Sequence, residues 1–194
     1  MNTTSPRRRR YLPDAAWPGR VPRLPVVLCA LALLSACSSV PLAPIPTARN
    51  VDIDRFMGDW YVIAHIPTVI ERDAYNGIEH YDRRADGSIA TTFTFRKGSF
   101  DGPQKVYRPT GFVLDAVNHS TWGMRFVWPF KAEYLIAELD PGYRTTIIAR
   151  SARDYVWIMA RTPSLPDADY QKLVARCAAF GYDVSKLRKV PQRW

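Results

Sequence analysis

Three histidines, His65, His80 and His119, are the first candidates in this 194-residue chain for acid–base or metal chemistry. The first two lie on predicted strands and the third in a predicted loop, and no HExxH motif accompanies them. The run "EHYD" at residues 79–82 has the residue types of a polar relay. Because side chains alternate along a strand, these point to opposite faces, and we interpret the run as a solvated strand edge. The sequence therefore predicts no metal site.

Other signatures of catalysis are also missing from the sequence. It contains no GxSxG elbow and no glycine-rich phosphate loop. Two of the three cysteines precede residue 38, which leaves Cys177 on a predicted helix among apolar neighbours, where we expect a buried and inert thiol. Nothing combines a nucleophile, a base and an orienting group, so we expect a protein that is not an enzyme and that needs no cofactor.

The formal net charge of +9 is concentrated near the amino terminus. Residues 7–10, Arg20 and Arg23 supply six positive charges, against Asp14 alone. The rest of the chain carries 21 basic and 17 acidic residues. A mildly basic, interspersed surface is typical of soluble proteins, so we expect no nucleic-acid partner.

Residues 1–36 have the pattern of an export signal. Basic residues precede the apolar run "LPVVLCALALLSAC", which is too short to remain as a membrane-spanning helix. The run ends in Leu34-Ser35-Ala36-Cys37, which resembles the lipobox of bacterial lipoproteins. The resemblance implies cleavage before Cys37, attachment of lipid to that cysteine and, with Ser38 next, transfer to the outer membrane. An ordinary signal peptide with an incidental cysteine is the alternative.

The chain divides into three segments. Residues 1–36 are the predicted signal peptide, residues 37–50 are the lipidated cysteine and a proline-rich tether, and residues 51–194 are the folded domain. The long stretch before the apolar run favours a translation start near Val21. We expect the mature protein on the periplasmic face of the outer membrane, anchored by its amino-terminal lipid.

The folded domain has the pattern of an all-β protein. The turn Asp86-Gly87 lies between two alternating runs, which is a strong hairpin signal. Eight short strands are predicted, at residues 59–66, 77–84, 88–97, 104–116, 121–130, 132–139, 143–150 and 154–161. Such a series of hairpin-linked strands favours an up-and-down antiparallel barrel or a sandwich.

A helix is predicted after the last strand. Tyr170, Leu173, Val174, Cys177 and Phe180 form one apolar stripe with helical spacing. Aspartates precede the stripe and a glycine follows it, in agreement with the preferences of helix ends. A single helix after eight strands can bury its stripe only against the outside of the sheet.

Several stretches of the domain resemble the lipocalin family. Gly58 and Trp60 match the GxW motif of the first strand, and "DYVWIMARTP" at residues 154–163 matches the last-strand motif. "PFKAEYLIAELD" and "FGYDVSKL" resemble segments of bacterial outer-membrane lipocalins of the Blc type. The resemblance covers about residues 50–191. It implies an eight-stranded up-and-down antiparallel barrel with one C-terminal α-helix packed outside. It also implies that Arg161 lies across the indole of Trp60 and closes the base of the barrel.

An eight-stranded barrel is wide enough to hold one small ligand. Alternation along the strands gives the candidates for the pocket wall, each of which could equally be core filling: Val62, Ala64, Phe93, Phe95, Met124, Phe126, Trp128, Trp157 and Met159. An apolar, aromatic wall favours acyl chains, so we expect a fatty acid or a lysophospholipid as partner, with storage, transport or envelope maintenance as the role.

The sequence leaves two other functions open. The first is an enzyme acting on a hydrophobic substrate, which a buried Asp, Glu or His with a partner inside the barrel would favour. The second is a non-binding structural envelope lipoprotein whose barrel is packed solid. The sequence leaves homodimer formation open as well.

Overall fold

The computed structural model of the chain describes Met1 and residues 42–194. The predicted signal peptide, the lipidation of Cys37 and the first part of the tether lie outside the described residues. Within the described part, no helix is both long and apolar enough to cross a membrane.

Ten β-strands form one antiparallel sheet that closes on itself. The strands are β1 (Gly58–Ile66), β2 (Ala74–Arg83), β3 (Ile89–Lys97), β4 (Gln104–Tyr107), β5 (Thr110–Val113), β6 (Thr121–Val127), β7 (Phe130–Leu139), β8 (Thr145–Ala149), β9 (Val156–Ala160) and β10 (Arg188–Lys189). The order along the sheet is β10-β1-β2-β3-β5-β6-β7-β8-β9, with β4 paired to β3. Strand β9 also pairs with β1, which closes the barrel. The prediction of an eight-stranded up-and-down barrel is confirmed, since β4 and β5 together occupy the place of one predicted strand and β10 is a short addition.

Most predicted strands have limits that differ by one to three residues in the structure, and two of the differences have a clear cause. The strand predicted at residues 104–116 is broken between Tyr107 and Thr110, where Pro109 has no N–H for a ladder hydrogen bond. The strand predicted at residues 121–130 ends at Val127, and Trp128 and Pro129 form the turn that leads into β7.

A β-bulge in β1 changes which side chains face the interior. The pairing register between β1 and β9 shifts between Val62 and Ala64. Val62 therefore packs in the interior cluster, whereas Ala64 packs in the outer cluster that contains the helix residues. His65 is fully buried beyond the bulge. The assignment of Ala64 to the pocket wall is thus wrong, because one extra residue reverses the alternation.

Two helices flank the barrel strands. The short helix α1 (Ile53–Phe56) precedes β1, and Asp52 caps it by accepting a hydrogen bond from the Arg55 N–H at 3.1 Å. The helix α2 (Asp167–Ala179) follows β9 and packs on the outside of the barrel. Its buried residues Tyr170, Leu173 and Cys177 confirm the predicted apolar stripe. A 3-10 helix (Val184–Lys186) leads into β10.

Part of the predicted tether belongs to the fold. Ile45 is buried in the outer cluster, and the Ala48 N–H donates to the Ile136 carbonyl of β7 at 2.8 Å. The Ala43 carbonyl accepts a hydrogen bond from Arg153, in the loop between β8 and β9. The expectation that the whole proline-rich segment is a free tether is therefore wrong for its second half, which packs along the barrel wall.

Candidate ligand-binding site

Trp60 and Arg161 lie together at one end of the barrel. Trp60 is fully buried, and its indole N–H donates to the Phe56 carbonyl at 2.8 Å. The guanidinium carbon of Arg161 lies 3.9 Å from the centroid of the Trp60 ring. The same guanidinium donates to the carbonyls of Asp59 at 2.7 Å and of Arg55 at 2.8 Å. The contacts tie α1, β1 and the end of β9 together across the base of the barrel.

Gly58 supplies the backbone conformation that this arrangement needs. Its φ of +88° lies in the left-handed region, which glycine adopts without strain. A Cβ at this position would lie 3.5 Å from a terminal nitrogen of Arg161. The GxW glycine thus lets the backbone turn into β1 directly beneath the guanidinium.

Aromatic side chains fill the lower half of the barrel. The ring of Phe56 lies 5.0 Å from Trp60 and 5.4 Å from Trp122, measured between centroids. Trp122 stacks on Tyr134 at 5.6 Å, and Tyr81 packs edge-on against both. These rings form a closed floor, and any cavity must lie above it.

A cavity of about 110 Å³ lies above this floor, towards the other end of the barrel. Four of the predicted residues line it: Phe93 of β3, Met124 and Phe126 of β6, and Trp157 of β9. Loop residues Thr68, Ile70 and Glu71, between β1 and β2, also line it, so that loop covers the cavity from the open end.

The other predicted pocket residues lie elsewhere. Val62, Phe95 and Met159 are buried in the interior cluster without lining the cavity, so they are core residues here. Trp128 is 79% exposed at the turn between β6 and β7. Its assignment to the pocket wall is wrong, because β6 ends one residue earlier and the alternation does not extend into the turn.

Glu79 is an acidic residue inside the barrel that the sequence reading did not place there. Alternation along β2 does separate the "EHYD" run, with Glu79 and Tyr81 inside and His80 and Asp82 outside. The interpretation as a solvated edge is therefore right only for His80 and Asp82, and the His80 ring lies between Asp59 and Asp82 at the surface. Glu79 lines the cavity and accepts a hydrogen bond from the Tyr81 hydroxyl.

The environment of Glu79 favours its neutral form. Burial, and to a lesser degree the charge of Glu71, raises the pKa of Glu79 to about 8. Burial and the charge of Glu79 raise the pKa of Tyr134 well above its usual range. The hydroxyls of Tyr81 and Tyr134 are 2.6 Å apart. Glu79, Tyr81 and Tyr134 thus form a connected polar group on the cavity floor.

Glu71 forms a second polar group, within the covering loop. It accepts hydrogen bonds from the Thr68 N–H at 3.0 Å and from the Trp157 indole at 3.2 Å. His65 Nδ1 lies 3.7 Å from its carboxylate, which is within ion-pair range. Burial acts to raise the pKa of Glu71, but His65 and these donors outweigh it, and the pKa lies below its usual value. Glu71 is therefore ionised at neutral pH.

Exposed apolar side chains surround the open end. They belong to the β6–β7 hairpin and the β1–β2 loop, and we call them the apolar rim: Val69, Ile70, Phe126, Val127, Trp128 and Phe130. Ile70 and Phe126 also line the cavity, so the rim is continuous with the cavity wall. Several exposed apolar side chains at one end of a barrel are typical of an interaction site.

In the part of the chain that the structure describes, no group of three or more His, Cys, Asp or Glu residues is arranged to hold a metal ion.

A closed antiparallel barrel with a sealed base, a cavity at the opposite end and one external helix defines the class of cup-shaped, single-cavity barrels. The chain belongs to the lipocalin family, because residues 51–192 match the model of the lipocalin-like domain. It is 31% identical over 175 residues to the outer membrane lipoprotein Blc of Escherichia coli K12, covering 87% of this chain and 97% of the relative. It is 27% identical over 158 residues to temperature-induced lipocalin-1 of Arabidopsis thaliana, covering 74% of this chain and 81% of the relative.

Solved structures agree with this fold. Insecticyanin from the tobacco hornworm Manduca sexta matches with a TM-score of 0.60 at 14% identity, over 76% of this chain and 84% of that chain. The cockroach allergen Per a 4 matches with a TM-score of 0.58 at 20% identity, over 78% and 94%. At these identities the likeness concerns the fold alone.

Proposed function

We propose that this lipocalin binds a small hydrophobic ligand, a fatty acid or a lysophospholipid, at the bacterial outer membrane and stores or transports it in support of envelope maintenance. The observation that carries the proposal is the cavity above the sealed base, walled by Phe93, Met124, Phe126 and Trp157. Burial of apolar ligand surface against these side chains supplies the driving force, at about 25 cal/mol per Å² before the costs of association.

The size of the cavity determines how a long ligand would bind. A volume of about 110 Å³ is below the roughly 150 Å³ of an engineered cavity that holds benzene. Only one end of an acyl chain fits inside without movement of the covering loop. The remaining chain would lie across the apolar rim, which continues the cavity wall outward.

The amino-terminal segment supports a membrane-facing orientation. Residues 42–46 lie against Arg153 and the end of α2. Arg153 belongs to the β8–β9 loop, whose neighbours Arg150 and Tyr155 line the cavity. Five residues of extended chain span at most about 18 Å, so a lipid on Cys37 would hold the open end and its apolar rim close to the bilayer.

Native mass spectrometry of residues 38–194 tests the proposal. The domain is delipidated and titrated with fatty acids, lysophospholipids and haem as a control. We expect complexes of one ligand per chain with the lipids at micromolar concentration and none with haem. No complex with any lipid would contradict the proposal and favour the non-binding structural lipoprotein. The same spectra would reveal a homodimer.

A catalytic role is the second candidate, because two acidic residues with partners lie inside the barrel. His65 and Glu71 form one pair, and Glu79 with Tyr81 the other. Turnover of lipid esters by the wild type, lost in Glu71→Gln, would support this candidate.

A further inference from the structure

Three residues of the cavity lining carry buried polar atoms that lack hydrogen-bond partners. Thr91 Oγ1, Thr68 Oγ1 and Arg150 Nε are buried, and none has a partner among the residues that the structure describes. All three residues line the cavity. Buried polar groups are nearly always paired in native proteins, so a cluster of unpaired ones around one cavity points to a bound group that completes them.

Thr91 and Glu79 lie on the same inward face of the barrel floor. Thr91 is opposite Tyr81 in the β2–β3 register, and Glu79 is opposite Phe93, which makes Thr91 and Glu79 diagonal neighbours. Thr91 is 3% exposed. One Glu79 oxygen accepts a hydrogen bond from the Tyr81 hydroxyl. The other oxygen is left for the cavity that Glu79 lines. A hydroxyl without a partner and a carboxyl thus lie on neighbouring positions of β2 and β3 in the cavity wall.

The charges around the cavity select the kind of group that can enter. Glu71, Glu79 and Glu133 line it, with Arg150 as the cation. Arg150 is already paired with Asp154 at 3.3 Å. Arg150 follows β8 at the open end, whereas Glu79 is opposite Trp60 of the base in the β1–β2 register. A carboxylate at the inner end of a ligand would therefore meet Glu79 and not this cation. A group that donates a hydrogen bond meets acceptors on both Glu79 and Thr91.

We propose that Glu79 and Thr91 form a polar subsite on the cavity floor, which binds a hydrogen-bond donor, a hydroxyl or a primary amine, at the inner end of an otherwise apolar ligand. The inference rests on the proposed function and names the ligand class of that same cavity. A plain methyl end leaves Thr91 Oγ1 without a partner and Glu79 with the Tyr81 hydroxyl alone, and a carboxylate is disfavoured beside Glu79. The mainly neutral state of Glu79 at pH 7 is compatible with either donor, because the carboxyl can accept from a hydroxyl and can ionise beside an amine.

Matched ten-carbon ligands test the subsite, because each has the same outer carboxylate and differs only at the other end. The probes are decanoate, 10-hydroxydecanoate, 10-aminodecanoate and decanedioate, titrated calorimetrically into the full-length chain at pH 7. We expect the hydroxy and amino compounds to bind at least tenfold more tightly than decanoate, and decanedioate to bind most weakly. A purely apolar cavity would give the opposite order, with decanoate the tightest.

Variants assign the effect to the subsite. Glu79→Gln is expected to abolish most of the gain for the amine, and Thr91→Val to reduce the gain for both donors about threefold or more. Thr92→Val is the matched control, since Thr92 is the next residue of β3 and faces the other side of the sheet. It should retain the wild-type order of affinities.

The outcomes separate the two proposals. Binding of all four compounds in order of their hydrophobicity would overturn the subsite and leave hydrophobic ligand binding intact. Unchanged affinity ratios in both Glu79→Gln and Thr91→Val would also overturn it. Binding of none of the four by a folded wild-type protein would contradict the proposed function itself.

Discussion

The guanidinium carbon of Arg161 lies 3.9 Å from the ring centroid of Trp60, although 101 residues separate them in the chain. The contact joins the first full barrel strand to the residue that follows the last one. Because the same guanidinium donates to carbonyls of α1 and β1, it connects three segments at the seam where the barrel closes. The pair is therefore expected to stabilise the fold and to take no part in chemistry.

Removing either side chain of this pair should lower the melting temperature. Trp60→Ala removes a fully buried indole, a change that costs about 3–5 kcal/mol in other proteins, or roughly 10 °C for a domain of this size. Arg161→Ala removes a cation–π contact of about 0.5–2 kcal/mol and leaves several carbonyls without a donor. Calorimetry measures both changes, with the exposed Arg108→Ala as control. Melting temperatures equal to that of the wild type in both variants would refute the role.

Glu79 should make the stability of the domain fall as the pH rises. Its pKa is about 8 in the folded protein against an ordinary 4.5. Between these values only the unfolded chain releases the proton, so unfolding becomes easier with each increase in pH. Nearby titratable groups are Tyr81, Tyr134 and Glu71. Glu79→Gln should remove this part of the slope and be more stable than the wild type at about pH 8, as measured by urea unfolding. Parallel pH profiles of variant and wild type would contradict the assignment.

The apolar rim should bind lipid bilayers even without the covalent anchor. Trp128 and Phe130 are 79% and 76% exposed on one hairpin beside the cavity, and an indole favours the membrane interface. In vesicle sedimentation of residues 38–194, the double variant Trp128→Ala, Phe130→Ala should lose most of the bound fraction.

Trp194 provides the control for that experiment. It is 65% exposed and packs against Tyr61, away from the rim. Trp194→Ala should sediment with vesicles as the wild type does. An equal loss of binding in both variants would mean that the rim has no special part in membrane contact.

Cys177 should be unreactive in the folded domain. Burial raises the pKa of its thiol to about 12, and α2 covers it against the barrel. In residues 38–194, where it is the only cysteine, Ellman's reagent at pH 8 should modify it slowly in buffer and quickly in guanidinium chloride. Fast modification in buffer would show that α2 opens readily.

Cys37→Ser should abolish lipid attachment. The mass of the intact wild-type protein from membranes should exceed that of residues 37–194 by the mass of the acyl groups, and the variant should show no such increment. If the wild type shows no added mass and the variant is cleaved at the same site, the ordinary signal peptide is supported.

Most strands and the outer helix could be predicted from the sequence because their signals are local. The alternation in β3 and β6 and the helical stripe each arise within about ten residues, and Phe93, Met124 and Phe126 lie at the cavity as alternation predicts. The choice of a barrel over a sandwich, and the base formed by Trp60 and Arg161, follow instead from the resemblance to lipocalins.

The wrong assignments arise where a local irregularity or a distant contact determines which way a side chain faces. The bulge in β1 sends Ala64 outward and His65 inward, and no residue type in "VIAHI" marks it. Glu71 reaches the cavity because the β1–β2 loop folds back over it, which the composition of the loop does not reveal. Alternation along β2 places Glu79 on the same face as Tyr81, but an acidic residue in a polar run is ordinarily assigned to the surface.

The second half of the tether has a mechanical consequence. It is held first by Arg153 at the open end and then, nearer the base, by the carbonyl of Ile136. With the lipid on Cys37 that we propose, a pull on its acyl chains would load these attachments one after the other before any force reached β1. Thermal undulation of the bilayer would therefore be absorbed along the outer wall, and the shape of the hollow inside would be protected from it.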